Sequence, residues 1–246
     1  MNKKNRMSKF EHMNYMKWVL MLLPLMAACA SNMPSEPTTK QMEITSKKTY
    51  LALGDSYTIG ESVSRSNNVP SQLGKELSKE LNTNTSVEII ASTGWRTDDL
   101  LRELENGTKH KKYNLVTLLI GVNNQYQGRP FDKYKNEFPL LLDKALILAD
   151  NNSSKVIVVS IPDYAYTPFG AGFDTAKIST EIDNYNSFAK QTANSRNVTF
   201  VNITDITRKG LEHPELVARD GLHPSAIAYQ KFVERLQPII LNQLKD

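Results

Sequence analysis

A serine hydroxyl becomes a nucleophile only when a base takes its proton and a third group holds that base in place. Two short blocks of this sequence carry all three residue types. Gly54-Asp55-Ser56-Tyr57-Thr58 places Ser56 directly after an aliphatic run, and Asp220-Gly221-Leu222-His223-Pro224 places a carboxylate three residues before an imidazole. Asp220 can reach back to the ring of His223 if the segment turns, with Pro224 opening the helix beyond it. Acyl transfer also needs donors for an oxyanion. Gly94, in Ala91-Ser92-Thr93-Gly94, can offer an unshielded backbone N–H, and Asn123, in Gly121-Val122-Asn123-Asn124, a side-chain amide. Each block alone is also ordinary loop material: GDS suits a capped turn, and DxxH an N-capping aspartate beside a surface histidine.

The elements that must position these blocks give them their joint weight. Aliphatic runs at 50–53, 87–91, 115–120, 156–161 and 198–203 are continuous, as in LVTLLI and VIVVSI, which predicts parallel strands buried on both faces. Between them, helical spacing of apolar residues covers 72–81, 98–104 after a Thr97 cap, 131–150, 180–193 and 225–244. Strands alternating with helices predict an α/β fold, a three-layer α/β/α sandwich. Ligands in such sheets bind beyond the carboxyl ends of the strands. All four blocks fall at those ends.

The ordered set of GDS with Ser56, Gly94 after the second strand, GxN with Asn123, and DxxH with Asp220 and His223 resembles the SGNH, or GDSL-type, serine esterases and lipases. The likeness runs from Tyr50 to about Leu244. It implies a flavodoxin-like five-stranded parallel sheet in the order 2-1-3-4-5. It implies Ser56 as nucleophile, His223 as base oriented by Asp220, and an oxyanion hole made of the Ser56 and Gly94 N–H groups and the Asn123 amide. Tyr57 stands where the family carries leucine. Asn124 stands where it carries aspartate, a change that touches the hydrogen bonds bracing this loop and leaves Asn123 in place.

The implied activity is hydrolysis of a small-molecule carboxylic ester, with short acyl groups favoured because about 200 folded residues leave little room for a lipid tunnel. Lysophospholipase, thioesterase and carbohydrate O-acetylesterase activities belong to the same class. A different class, a glycan-binding surface lipoprotein without catalysis, has no use for a nucleophile, a base and donors together. The loop after the fourth strand is rich in aromatic residues, and Trp95, Asn124, Tyr126, Tyr164 and Tyr166 are the candidate substrate-binding residues. His213 is the rival base, with Glu212 poorly placed to orient it, and His110 lies among lysines on a solvated face. The sequence lacks GxSxG, HExxH and CxxC, so neither an α/β-hydrolase elbow nor a zinc site is expected, and the chemistry needs no cofactor.

Among 246 residues, 40% are apolar and 23% charged, values that exclude disorder and a multi-pass membrane protein. The formal charge of +4 sits wholly before residue 29, where Lys3, Lys4, Arg6, Lys9 and Lys17 oppose Glu11. A body without net charge argues against nucleic acid as a partner. The cations precede an apolar run from Trp18 to Ala28, too short to span a bilayer and matched to a signal-peptide core. Leu25-Met26-Ala27-Ala28-Cys29 resembles a bacterial lipobox, with Met26 where leucine is usual. The expected organisation is a signal peptide over 1–28, a lipidated Cys29 with a flexible tether over 29–48, and the hydrolase domain over 49–246. The protein would then be exported and held in the bacterial cell envelope through a membrane anchor at Cys29, or secreted if the lipobox is not used.

Overall fold

The computed structural model describes residues 46–107 and 111–245. The signal peptide, Cys29 and most of the tether lie outside the described residues, as does His110.

Five strands, β1 (Ser46–Gly54), β2 (Thr83–Ala91), β3 (Leu115–Leu119), β4 (Val156–Val159) and β5 (Thr199–Val201), form one parallel sheet in the order β2-β1-β3-β4-β5. The longer helices are α2 (Val69–Glu80), α3 (Thr97–Gly107), α5 (Phe131–Leu148), α6 (Thr175–Asn194) and α8 (Ala226–Lys245). Three single-turn helices, α1 (Ser56–Ile59), α4 (Val122–Tyr126) and α7 (Thr204–Thr207), each follow a strand end. Helix α2 packs against α8, while α5 packs against both α3 and α6, giving a helical layer on each side of the sheet.

Burial follows position in the sheet. Every residue of β3 and β4 is buried, as continuous aliphatic runs require of strands covered on both faces. The two edges depart from that expectation. In β2 only Thr83 is buried, and β5 has three residues with Val201 alone buried, because an edge strand has one neighbour and its outer side meets water. The polar start of β2, Thr83-Asn84-Thr85-Ser86, pairs with Ser46 to Thr49 of β1. Strand β1 thus begins inside the segment whose composition predicted tether.

Helix starts differ from the apolar periodicity because caps set them. Helix α2 begins three residues early: the Asn68 side chain accepts the Ser71 N–H at 2.8 Å, and Pro70 occupies the first turn, where its missing N–H costs nothing. Helix α6 begins at Thr175, capped by Asp174, which accepts the Lys177 N–H at 3.0 Å. Pro224 does not open α8. It pairs with Val217 in an antiparallel bridge, and Ser225 caps the helix by accepting the Ala228 N–H at 3.3 Å.

The strand order gathers three segments that are far apart in the chain. β1 lies between β2 and β3, with Gly54 opposite both Ala91 and Leu119, so three neighbouring strands end at one level. The chain leaving each of them carries, within a few residues, Ser56, Gly94 and Asn123 in turn.

Candidate active site

Asp55 starts the site. Fully buried, it caps α1 by accepting the Tyr57 N–H at 3.0 Å, while its other oxygen has no partner among the described residues. Burial pushes its carboxyl up to about 7, against the downward pull of the Tyr57 N–H. The cap turns the chain so that Ser56, only 4% exposed, opens α1 at the mouth of a cavity of about 310 Å³.

From the far end of the chain, the loop between Val217 and Pro224 brings His223 over the sheet edge. Its Nε2 lies 3.0 Å from Ser56 Oγ and its Nδ1 2.6 Å from Asp220 Oδ2. Gly221, at φ 71°, makes the turn between them, and its carbonyl accepts the Phe169 N–H at 2.9 Å, which ties this loop to the one after β4. Tyr57, buried beneath, tilts its ring against that of His223 at 4.8 Å. Asp220 uses both oxygens. Oδ1 accepts the backbone N–H groups of Leu222 (2.9 Å) and His223 (3.0 Å), and Oδ2 accepts from the ring and from the Ser62 hydroxyl at 2.6 Å. Partial burial raises its carboxyl, but the bonds from Ser62, His223 and the two amides outweigh it and hold it down to about 2. A carboxylate so held stays ionised and fixes Nδ1 as the donor, leaving Nε2 free to accept the serine proton.

The donors converge on the same cavity, which Ser56, Gly94 and Asn123 all line. Neither Ser56 nor Gly94 spends its backbone N–H on another group among the described residues. Gly94 sits at φ 78°, where a side chain would be strained although space is open. Asn123 donates one amide hydrogen to the Trp95 carbonyl at 3.0 Å, which orients the group and leaves the second hydrogen for the cavity. If that second hydrogen meets a developing oxyanion, Asn123→Ala should lower kcat for a short-chain ester by about 10²- to 10³-fold with KM little changed. Steady-state kinetics of the purified variant check this, and a loss shared equally by KM would remove Asn123 from that role.

Among the other sequence candidates, Tyr126 and Tyr164 line the cavity. Asn124, Trp95 and Tyr166 do not. Asn124 is fully buried and braces the loop, its Oδ1 accepting the Thr97 N–H at 3.1 Å and its amide donating to Thr97 Oγ1 at 2.7 Å. An asparagine therefore supplies hydrogen bonds at the position where the family carries aspartate. Trp95 packs against the core, and Tyr166 is exposed outside the cavity lining. His213 faces Glu215 on the surface at 3.2 Å. Among the described residues, no group of three or more His, Cys, Asp or Glu could hold a metal ion.

Phe169, which also lines the cavity, belongs to the aromatic loop after β4, and Leu222 to the Asp220–His223 block, whereas Gln127 and Ser62 carry no signal in the sequence. Gln127 donates to the Gly94 carbonyl at 3.0 Å and accepts from Arg96 at 2.6 Å, bracing the Gly94 loop. Ser62 has no motif to betray it, yet it sits at φ 64° with its hydroxyl on Asp220, 158 positions away. Removing that bond raises the Asp220 pKa in the folded protein. Since a depressed carboxylate contributes above its unfolded pKa and loses that contribution as pH falls through the folded value, the loss then begins at a higher pH. Ser62→Ala is therefore expected to lower kcat/KM about 3- to 10-fold near neutrality and to move the acid limb of the pH–activity profile upward. Ser62→Gly separates the hydroxyl from the strained backbone: if it behaves like wild type, the bond to Asp220 has no part in activity.

The GDSL-like Lipase/Acylhydrolase family model matches residues 52–231. No curated protein matches the chain in sequence. Similar solved structures include TesA, at 17% identity over 80% of this chain and 99% of that one with a TM-score of 0.62. An acetylxylan esterase from Geobacillus stearothermophilus shares 20% identity over 80% and 94%, with a TM-score of 0.61. The lipase Lip_vut3 from a goat rumen metagenome shares 19% over 78% and 97%, with a TM-score of 0.63. At these identities the structures speak for the fold.

Proposed function

The chain belongs to the GDSL-like lipase/acylhydrolase family and is a carboxylic ester hydrolase, and from that premise we propose that it cleaves esters of short acyl groups through an acyl-enzyme on Ser56. The Ser56–His223–Asp220 relay, with bonds of 3.0 and 2.6 Å, is the single observation that carries this reading. In the proposed cycle, Ser56 Oγ attacks the ester carbonyl while His223 Nε2 takes its proton. The N–H groups of Ser56 and Gly94 and the free Asn123 hydrogen hold the tetrahedral oxyanion. His223 then returns the proton to the departing alkoxide, and water, deprotonated by the same nitrogen, releases the acid.

Preference for short acyl groups is supported by the cavity. Its 310 Å³, bounded by Tyr126, Tyr164, Phe169 and Leu222, lie at the low end of the range of about 300–1,000 Å³ for small-molecule sites. A hydrocarbon tunnel would add about 0.8 kcal/mol for each buried methylene, about fourfold in kcat/KM. Without one, kcat/KM across p-nitrophenyl esters should peak at acetate to butyrate and fall at least about tenfold by palmitate. A steady rise from acetate to palmitate would refute the short-acyl reading.

A further inference from the structure

Glu137 lies on α5, the helix packed against α3, and lines no part of the Ser56 cavity, yet its carboxylate ends a chain of hydrogen bonds that begins beside the oxyanion donors. We propose that Glu137 is a positioning residue: by accepting the Thr97 hydroxyl it fixes the direction of the bonds that clamp the Asn123–Asn124 turn to the segment after Gly94, and so requires an amide rather than a carboxylate at position 124. This deepens the hydrolase reading and rests on it.

The direction follows from donors and acceptors alone. Thr97 and Asn124 are both fully buried, so their polar groups need partners inside the protein. The Thr97 backbone N–H can only donate, so the Asn124 atom 3.1 Å from it is the amide oxygen. The Asn124 NH₂ then faces Thr97 Oγ1 at 2.7 Å and donates to it. Beyond Oγ1 stands Glu137 Oε2, while the other oxygen of Glu137 lies 3.6 Å from Lys133 Nζ. An ionised carboxylate only accepts, so the single hydroxyl hydrogen of Thr97 goes to Glu137. The chain therefore runs one way, from Asn124 through Thr97 to Glu137.

This clamp sits where the oxyanion donors are spaced. Asn123 donates to the Trp95 carbonyl at 3.0 Å, so consecutive side chains of one turn grip Trp95 and Thr97, which follow Gly94 closely. A carboxylate at position 124 would turn its second oxygen on Oγ1 and compete with Glu137 for one hydrogen. Two buried carboxylates sharing one donor repel, and either the clamp opens or one of them takes up a proton. Replacing Glu137 with glutamine at the same time resolves the conflict. Its NH₂ donates to Oγ1, the hydroxyl donates to the new carboxylate, and every group is paired again with the chain running in reverse. Lys133 keeps Asp98 at 2.6 Å. The asparagine that stands where the family carries aspartate is thus matched to the carboxylate of Glu137.

The test compares Asn124→Asp, Glu137→Gln and the double variant at about pH 8, where carboxylates are ionised and histidine is neutral, by kinetics on p-nitrophenyl acetate and by thermal unfolding. Asn124→Asp alone should lower kcat about 100-fold, with KM changed less than about threefold, and should lower the unfolding midpoint. Adding Glu137→Gln should return kcat to within about tenfold of wild type and raise the midpoint again. Glu137→Gln should bring no gain to Asn124→Ala, which has no carboxylate to take the reversed bond, whereas a general change in α5 would act on both alike. Wild-type kcat in Asn124→Asp, or no recovery in the double variant, would overturn the proposal. Should Asn124→Asp alone fail to fold, a folded and active double variant supports the proposal and an unfolded one overturns it. If the midpoints follow this pattern while neither wild type nor any variant cleaves the ester, the coupling of Glu137 to position 124 stands and the hydrolase reading fails.

Discussion

Replacing Ser56 with alanine is expected to lower kcat on p-nitrophenyl acetate by about 10⁴- to 10⁶-fold, the scale on which serine hydrolases lose activity with their nucleophile. The expectation rests on the 3.0 Å contact between Oγ and His223 Nε2, since no other hydroxyl in the cavity reaches that nitrogen. Thr93, whose side chain also lines the cavity, has its hydroxyl engaged with Glu61. His223→Ala should cost about as much, and the double variant little more, because nucleophile and base act as one unit. A fluorophosphonate should add its mass to the wild-type protein and not to Ser56→Ala. Retention of a tenth of the activity, or labelling of the variant, would place the chemistry elsewhere.

Asp220→Asn probes a subtler dependence and is expected to lower kcat about 10³- to 10⁴-fold without unfolding the protein. Aspartate here needs two acceptors. One oxygen takes the Leu222 and His223 amides, and the other takes the His223 ring and the Ser62 hydroxyl. Asparagine has a single acceptor. If its oxygen stays with the backbone amides, its NH₂ faces Nδ1, the ring must carry its proton on Nε2, and Ser56 meets a donor where it needs a base. If the amide turns over, the two backbone donors lose their partner and the loop loosens. The first outcome removes the base function and the second keeps the tautomer but loosens the loop that places the ring, and nitrogen-15 shifts of the His223 ring distinguish them. A loss of less than tenfold would mean that His223 needs no carboxylate to hold it.

Residue chemistry made the core of the site legible. Ser56, Asp220, His223, Gly94 and Asn123 are residue types for which acyl transfer has few substitutes, and the blocks that hold them sit where strands and helices meet. The central strands were equally plain, because LVTLL and VIVV can be buried only on both faces. Edges and boundaries were not. Thr83 to Ser86 lie outside the apolar run that begins at Val87 because an edge strand needs none there, and the start of α2 was hidden because Asn68, a capping side chain, decides it. The aromatic candidates divide for a similar reason: Tyr126, at the end of α4, and Trp95, just before α3, both follow strand ends, yet one lines the cavity and the other packs against the core, and that depends on neighbours far away in the chain.

By itself, the order of residues placed the candidate blocks at the carboxyl ends of the strands, since local periodicity and residue type are properties of short segments, and the likeness those blocks carry indicated the reaction class. Only the folded chain decided how the relay is held. Ser62 on Asp220, Gln127 on the Gly94 loop, and Asn124 on Thr97 join segments distant in sequence. Such bonds arise when packing brings donor and acceptor within about 3 Å, and no spacing along the chain encodes them.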